Sequence, residues 1–242
     1  MKKTLILIAL AALTLSCGGN PSSEKKAAES AADESAANAP AAPAKLSAEA
    51  VDLGLSVKWA KCNLGAADES QTGNYYAWGE TTTKNEYEKA GYKYADEKGY
   101  YTKYIPAETL GYAECDDLLV LGAADDAATA ALGEGWRMPT RDEVLELVEK
   151  CTFEGVNDGW VITGPNGNSI KIPRGGYMSG SVVTQPKGSW FWCSTLNKKE
   201  MTVLGEPVVE YLIHYGDQFD PATQTVSLQY RFYGLPIRPV KE

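Results

Sequence analysis

Five cysteines and one histidine are the residues of this 242-residue sequence best suited to covalent or metal chemistry, and their placement restricts what they could do. His214 is the sole imidazole, so a Ser- or Cys-based nucleophile would have one base to draw on, and nothing in the sequence sets either beside it. It lies in Tyr211-Leu212-Ile213-His214-Tyr215, where a polar position on a strand is the simpler reading. Zinc needs His and Cys clustered at short intervals, and here they are scattered. The Gly-rich stretches lack the strand–loop–helix setting that cradles phosphate. Asp116-Asp117, Asp125-Asp126 and the pair Asp217 and Asp220 offer hard oxygen ligands, but none follows an EF-hand spacing. Helix N-capping accounts for Asp125-Asp126. No catalytic residue, metal site or cofactor is read from these groups. Cys62, Cys115, Cys151 and Cys193 are even in number, which suits disulfides in an exported chain. Buried free thiols are the other reading, favoured for Cys151 by its place on an apolar helix stripe.

Cys17 stands apart. Lys2 and Lys3 precede an uncharged stretch from Leu5 to Leu15, too short for the roughly 20 apolar residues of a membrane span and therefore a secretory signal. The segment Leu13-Thr14-Leu15-Ser16-Cys17-Gly18 resembles the lipobox of bacterial lipoproteins, with Thr14 where Leu is usual. That resemblance implies that Cys17 receives a diacylglyceryl group and becomes the mature N-terminus, anchored by its acyl chains. Residues 1–16 are then the signal peptide, and residues 17–50 the lipidated cysteine with its tether. From Gly18 to about Ala48 the chain is rich in Ala, Ser, Glu, Lys and Pro with no aromatic residue, a composition that cannot bury enough surface to fold. The expected location is the bacterial envelope, lipid-anchored at the outer membrane, with the face left open.

The elements that must position any site occupy residues 51–242. Hydrophobic residues at 44% and charged residues at 23% suit an ordinary globular domain. A formal charge of −9 argues against a nucleic-acid partner. Leu53, Leu55, Val57 and Trp59 alternate with polar or small residues, which predicts a half-buried strand, and Asn74 to Trp78 predicts a second. Glu80 to Glu114 has weak periodicity and reads as a long loop region. Asp125 to Leu132 predicts a helix ending at Gly133. Thr140-Arg141-Asp142-Glu143 fits a capping box ahead of a second helix with Val144, Leu147, Val148 and Cys151 on one stripe. Trp160 to Thr163 and Ser169 to Ile172 flank the turn-rich segment 164–168 and read as a hairpin. Strands are expected at Ser189 to Thr195, Val208 to His214, Thr225 to Phe232 and Leu235 to Val240. Two helices among many short strands indicate a single α+β domain. Arg137 and Arg238 are expected to hold loops through carboxylates or carbonyls.

Several phrases belong together. They are Val51-Asp52-Leu53-Gly54-Leu55-Ser56-Val57-Lys58-Trp59-Ala60, Tyr75-Tyr76-Ala77-Trp78-Gly79-Glu80, Gly135-Trp136-Arg137-Met138-Pro139-Thr140, Asn166-Gly167-Asn168-Ser169-Ile170 and the closing Tyr233-Gly234-Leu235-Pro236-Ile237-Arg238-Pro239-Val240. In this order, over roughly Val51 to Val240, they resemble the Fibrobacter succinogenes major paralogous domain family found in Bacteroidota lipoproteins. The resemblance implies a C-type-lectin-like or formylglycine-generating-enzyme-like fold with few helices and a long, ligand-capable loop region. It brings no established activity. The formylglycine-generating enzymes need a reactive cysteine pair, and no second cysteine follows Cys193. Sugar-binding C-type lectins use a calcium loop that Gln185-Pro186-Lys187 resembles, but Lys187 stands where a carboxylate oxygen should be.

Tyr at 14 and Trp at 6 outnumber Phe at 4, a balance that suits half-wet sheet surfaces and binding rims. The function expected is therefore non-enzymatic: a binding or surface-interaction module for a glycan or protein ligand, fixed to the membrane through Cys17. Trp78, Tyr100, Tyr101, Trp190 and Trp192 are the candidate contacts. The alternatives are an enzyme related to the formylglycine-generating fold and a purely structural envelope protein.

Overall fold

Two short stretches of main chain from opposite ends of the folded unit pair with each other. In chain order the strands are β1 (Ala50–Val51), β2 (Lys58–Ala60), β3 (Trp136–Arg137), β4 (Thr152–Val156), β5 (Gly159–Thr163), β6 (Ser169–Pro173), β7 (Tyr177–Ser179), β8 (Val182–Thr184), β9 (Gly188–Leu196), β10 (Val209–Tyr215), β11 (Thr225–Gln229) and β12 (Val240–Lys241). The helices are α1 (Ala127–Leu132) and α2 (Arg141–Lys150). A computed structural model describes residues 46–107, 112–196, 209–215 and 225–242. The expected signal peptide, Cys17, the tether to residue 45, Asp217 and Asp220 lie outside them. No described helix is long and apolar enough to cross a membrane.

The first sheet has the order β1-β2-β12-β3, so the last strand inserts between the beginning of the folded unit and its middle. A meander β4-β5-β6, a hairpin β7-β8 and a sheet β11-β10-β9 complete the described sheets, and every strand pair is antiparallel. The architecture is α+β. The folded unit begins before Val51: Leu46 N–H donates to the Ala131 carbonyl at 3.0 Å and Ala50 pairs with Ala60. Backbone pairing needs no large side chains, so composition could not place that boundary.

Helix α2 starts where expected. Thr140 Oγ1 accepts from Glu143 N–H, and the Glu143 carboxylate accepts from Thr140 N–H at 2.8 Å, while Val144 and Leu147 are fully buried. Thr140→Ala is expected to cost about 1 kcal/mol, read as a lower urea midpoint with an unchanged slope. Helix α1 begins two residues later than expected, at Ala127 rather than Asp125, because Asp126 is its cap, accepting from Ala128 and Thr129 N–H.

The run from Leu53 to Trp59 is a strand only at its end. Gly54 takes a φ of +76° and donates to Asp52 Oδ1, while Ser56 bonds the Glu146 carboxylate, so side chains rather than a ladder satisfy this backbone. Asn74 to Trp78 contributes one bridge, Tyr76 to Leu235. The expected strand from Leu235 to Val240 survives only in β12. Pro236 and Pro239 have no N–H to extend a ladder. The carbonyls of Leu235, Pro236, Ile237 and Pro239 instead serve four different segments, through the N–H groups of Tyr76, Trp192, Leu64 and Ala60.

Strand β9 divides the interior. Trp190, Trp192 and Leu196 face one apolar cluster, whereas Phe191 and Cys193 face the other with Leu53, Trp59, Val144 and Ile162. The described part of the 80–114 segment is largely irregular, as expected, yet its Tyr87, Tyr92, Tyr94, Tyr101 and Tyr104 are core residues of the first cluster.

Candidate functional site

Four of the five aromatic side chains singled out from the sequence are interior. Trp78 and Trp192 are 0% exposed, Tyr101 2% and Trp190 3%, and only Tyr100, at 51%, reaches solvent. Their placement corrects the reading of them as a contact surface. Strand β9 is covered on both faces, so Trp190 and Trp192 pack inward. Tyr101 and Trp78 instead enclose Arg231, whose guanidinium carbon lies 4.2 Å and 5.2 Å from their ring centroids. That guanidinium is fully buried and donates to the Lys103 carbonyl at 2.7 Å, the Tyr104 carbonyl at 3.1 Å and the Tyr92 hydroxyl at 3.2 Å. It is structural. Tyr100 packs edge-on against Tyr112 at 5.7 Å.

A different set of rings meets solvent. Tyr177 of β7 stacks on Trp190 at 4.8 Å and on Tyr233 at 5.4 Å. Tyr233 meets Tyr230 and Phe232 edge-on at 5.4 Å and 5.0 Å, and those two stack on each other at 5.2 Å. Tyr177, Tyr230, Phe232 and Tyr233 are each half-buried. The platform is positioned from two sides. The Met178–Gly234 bridge ties the β7-β8 hairpin to the segment after β11, and buried Arg231 fixes the run Tyr230-Arg231-Phe232-Tyr233 from beneath. Gly234 permits the approach: a Cβ there would lie 2.7 Å from the Tyr87 ring. Stacked and edge-on rings are worth about 0.5–1.5 kcal/mol per pair beyond area burial, so the rings of the platform support one another. The sequence signal was three aromatics around one Arg, absorbed into the strand expected from Thr225 to Phe232.

The second organised feature is polar. Asp125 is 5% exposed; its Oδ1 accepts from Lys93 Nζ at 3.0 Å, and its Oδ2 accepts from Lys103 Nζ and Tyr104 Oη, each at 2.7 Å. Burial alone would raise its pKa, but donation from Lys103, Tyr104 and Lys93 outweighs it and holds the carboxyl far below the usual range. Burial, and then Asp125 beside it, pushes Tyr94 upward.

Scans of protein-family models, of curated proteins and of solved structures return no match to this chain. The site must be read from its own residues.

Cys62, Cys115, Cys151 and Cys193 are free thiols; of the burial expected for free thiols only Cys193 shows it in full, Cys62 and Cys151 being half-buried and Cys115 exposed. Cys193 is fully buried, and that burial drives its pKa upward, away from a reactive thiolate. Cys62 borders a cleft of about 580 Å³ with Glu49, Lys61, Asp68 and Glu69, and burial raises its pKa as well. Asp116 is held by the N–H groups of Tyr104, Ile105 and Leu118, a loop-closing role. Among the described residues, no three His, Cys, Asp or Glu side chains converge as a metal site would require. Gln185 and Gly188 close the turn between β8 and β9 through a 2.9 Å backbone bond. His214 lies on β10 opposite Ser189. Arg137 pairs with Glu143 through both terminal nitrogens, at 2.8 Å and 2.6 Å, and Arg238 binds carbonyls, the structural roles expected of both.

Proposed function

We propose that this chain is an envelope lipoprotein, anchored through acyl groups on Cys17, whose folded unit is a non-catalytic binding module. The ligand meets the aromatic platform of Tyr177, Tyr230, Phe232 and Tyr233. The observation that carries this reading is the stacking geometry: half-buried rings fixed in place by one another and by buried Arg231. Flat apolar faces ringed by hydroxyl groups suit a glycan, whose sugar rings offer apolar C–H faces and polar edges. We also propose that the fold is C-type-lectin-like and that the chain is a member of the Fibrobacter succinogenes major paralogous domain family. The ordered sequence phrases support this, as do the two short helices, the short antiparallel strands and the long irregular stretch after Glu80. A lipid anchor at the outer membrane places such a module where envelope glycans are met. The interior position of Cys193 favours binding over oxidase chemistry.

The test is a glycan and peptide array probed with the full chain in a non-ionic detergent, followed by titration of the best binder. Tyr230 packs on Phe232 and Tyr233 and belongs to neither apolar core cluster, so Tyr230→Ala should leave the fold intact. It is expected to weaken binding about tenfold, the equivalent of one aromatic contact. An array without a saturable binder, or affinity that survives Tyr230→Ala combined with Phe232→Ala, would refute the assignment.

A further inference from the structure

Two ammonium groups on one buried carboxylate are more than that carboxylate needs. Lys93 and Lys103 occupy separate oxygens of Asp125, and their side chains remain 47% and 39% exposed. Each ammonium has three donors. One from each goes to Asp125, and Lys103 also faces the Tyr104 hydroxyl, which leaves donors open on both nitrogens among the described residues. The charges around them do not absorb the excess. Lys84 pairs with Glu80 at 2.8 Å, and Arg231 lies in the field of Asp116, which leaves Asp125 facing two lysines with one positive charge unmatched. This occurs in a chain of formal charge −9.

The two lysines are also held in place. Lys93 Nζ lies 4.8 Å and Lys103 Nζ 5.8 Å from the centroid of the Tyr94 ring, and Lys103 lies 5.0 Å from that of Tyr104. Tyr94 is buried, so the ring is a fixed floor. Asp125 is fixed in turn by the Tyr104 hydroxyl, which accepts from Gly122 N–H at 3.1 Å. Two like charges on such a support repel each other, and an anion with two or more oxygens would relieve that repulsion by taking their free donors.

We propose that Lys93 and Lys103, held side by side by Asp125 above the Tyr94 ring, form an oxyanion-binding site. It takes a carboxylate, sulfate or phosphate group carried by a ligand. The site is independent of the aromatic platform and stands or falls without it. Its affinity is electrostatic and half-exposed, so it weakens as ionic strength rises.

The test titrates the full chain, in a non-ionic detergent at low ionic strength, with sodium phosphate, sodium sulfate and sodium galacturonate, each against sodium chloride of matched ionic strength. Chemical shifts of the Lys93 and Lys103 ammonium groups are the readout. At least one oxyanion is expected to saturate in the millimolar range or tighter, with about a tenfold loss in Lys93→Gln and in Lys103→Gln. Lys103→Arg, which keeps the cation, and Lys98→Gln, at an exposed lysine in the same segment, are expected to retain binding. Preference for galacturonate assigns an acidic sugar, and preference for phosphate or sulfate assigns an esterified group. Three results overturn the proposal: saturation by none of the three, an equal response to chloride, or undiminished binding by the Lys93→Gln, Lys103→Gln double variant.

Discussion

Trp192→Ala is expected to destabilise the folded unit by about 3–5 kcal/mol, the range for deleting a buried indole. The side chain is 0% exposed, and its Nε1–H donates to the Tyr76 carbonyl at 2.7 Å. Trp78, two residues beyond Tyr76, returns the contact: its Nε1–H donates to the Cys193 carbonyl at 2.9 Å, one residue beyond Trp192. The two indoles therefore cross-tie the irregular 74–78 segment to β9, a task that a strand ladder would perform if that segment were a strand. Removing either one opens a cavity and withdraws an indole donor from a carbonyl; the Tyr76 carbonyl keeps the Leu235 N–H at 3.0 Å, and the Cys193 carbonyl loses the Trp78 indole. The two costs can be separated. Phe at either position refills most of the volume but restores no donor, so Trp78→Phe should cost about 1–3 kcal/mol and Trp192→Phe, whose carbonyl partner keeps the Leu235 N–H, about 0.5–1.5 kcal/mol. Urea denaturation of Trp192→Ala and the two Phe variants beside the parent, followed by near-ultraviolet circular dichroism, checks this. A Phe variant as stable as the parent would show that the clasp carries no stability of its own. The same measurement bears on binding. A ligand-binding defect in Trp192→Ala would report an unfolded domain, whereas one in Tyr230→Ala would report the surface.

That contrast shows what the sequence could and could not convey. Periodicity found α2, its capping box and the β5-β6 hairpin, because in each case local chemistry and tertiary structure agree. It found β9 as a strand but not the burial of both its faces. Ser189 to Thr195 is aromatic at consecutive positions, and a one-sided and a two-sided strand differ only in what packs against them. Exposed Trp residues were inferred from type, since Tyr and Trp suit wet surfaces. Here most of those rings lie in the interior, where several hydroxyl and indole N–H groups find carbonyls across long separations. Tyr92 donates to the Trp78 carbonyl at 2.7 Å, for instance. The rings of the platform, Tyr177 and the Tyr230 to Tyr233 run, lie far apart in sequence and are brought together by the Met178–Gly234 bridge and the Tyr177–Tyr233 stack. The Asp125 cluster was hidden for a related reason. Asp125 and Asp126 are neighbours of identical type, yet one caps α1 and the other gathers Lys93 and Lys103 from the irregular segment before it. Nothing in local spacing tells the two apart.

Arg238→Ala is expected to cost about 3–5 kcal/mol, because it strips several buried acceptors at once. The guanidinium is 0% exposed; Nε donates to Asn63 Oδ1 at 2.8 Å, Nη1 to the Ala60 carbonyl at 2.9 Å and to the Lys61 carbonyl, and Nη2 to the Lys171 carbonyl at 2.7 Å. Two of those acceptors, Ala60 and Lys171, belong to different sheets. Ala60 ends β2, beside which β12 inserts, and Lys171 lies on β6 of the meander, so one side chain holds the meander to the closing sheet. Its hydrogen bonds all go to neutral oxygens. Burial lowers its pKa to about 10, which leaves it charged at neutral pH. The planar fork therefore matters more than the charge. A lysine in its place would keep the cation but could not spread donors across positions fixed by a guanidinium, so Arg238→Lys should recover less than half of the stability that Arg238→Ala loses. If that substitution restored the parent's urea midpoint, the positive charge itself would be the stabilising element. Arg238→Met, with a similar stem and no charge, completes the series and should fall close to Arg238→Lys, since both leave carbonyls of the two sheets facing each other without a guanidinium between them.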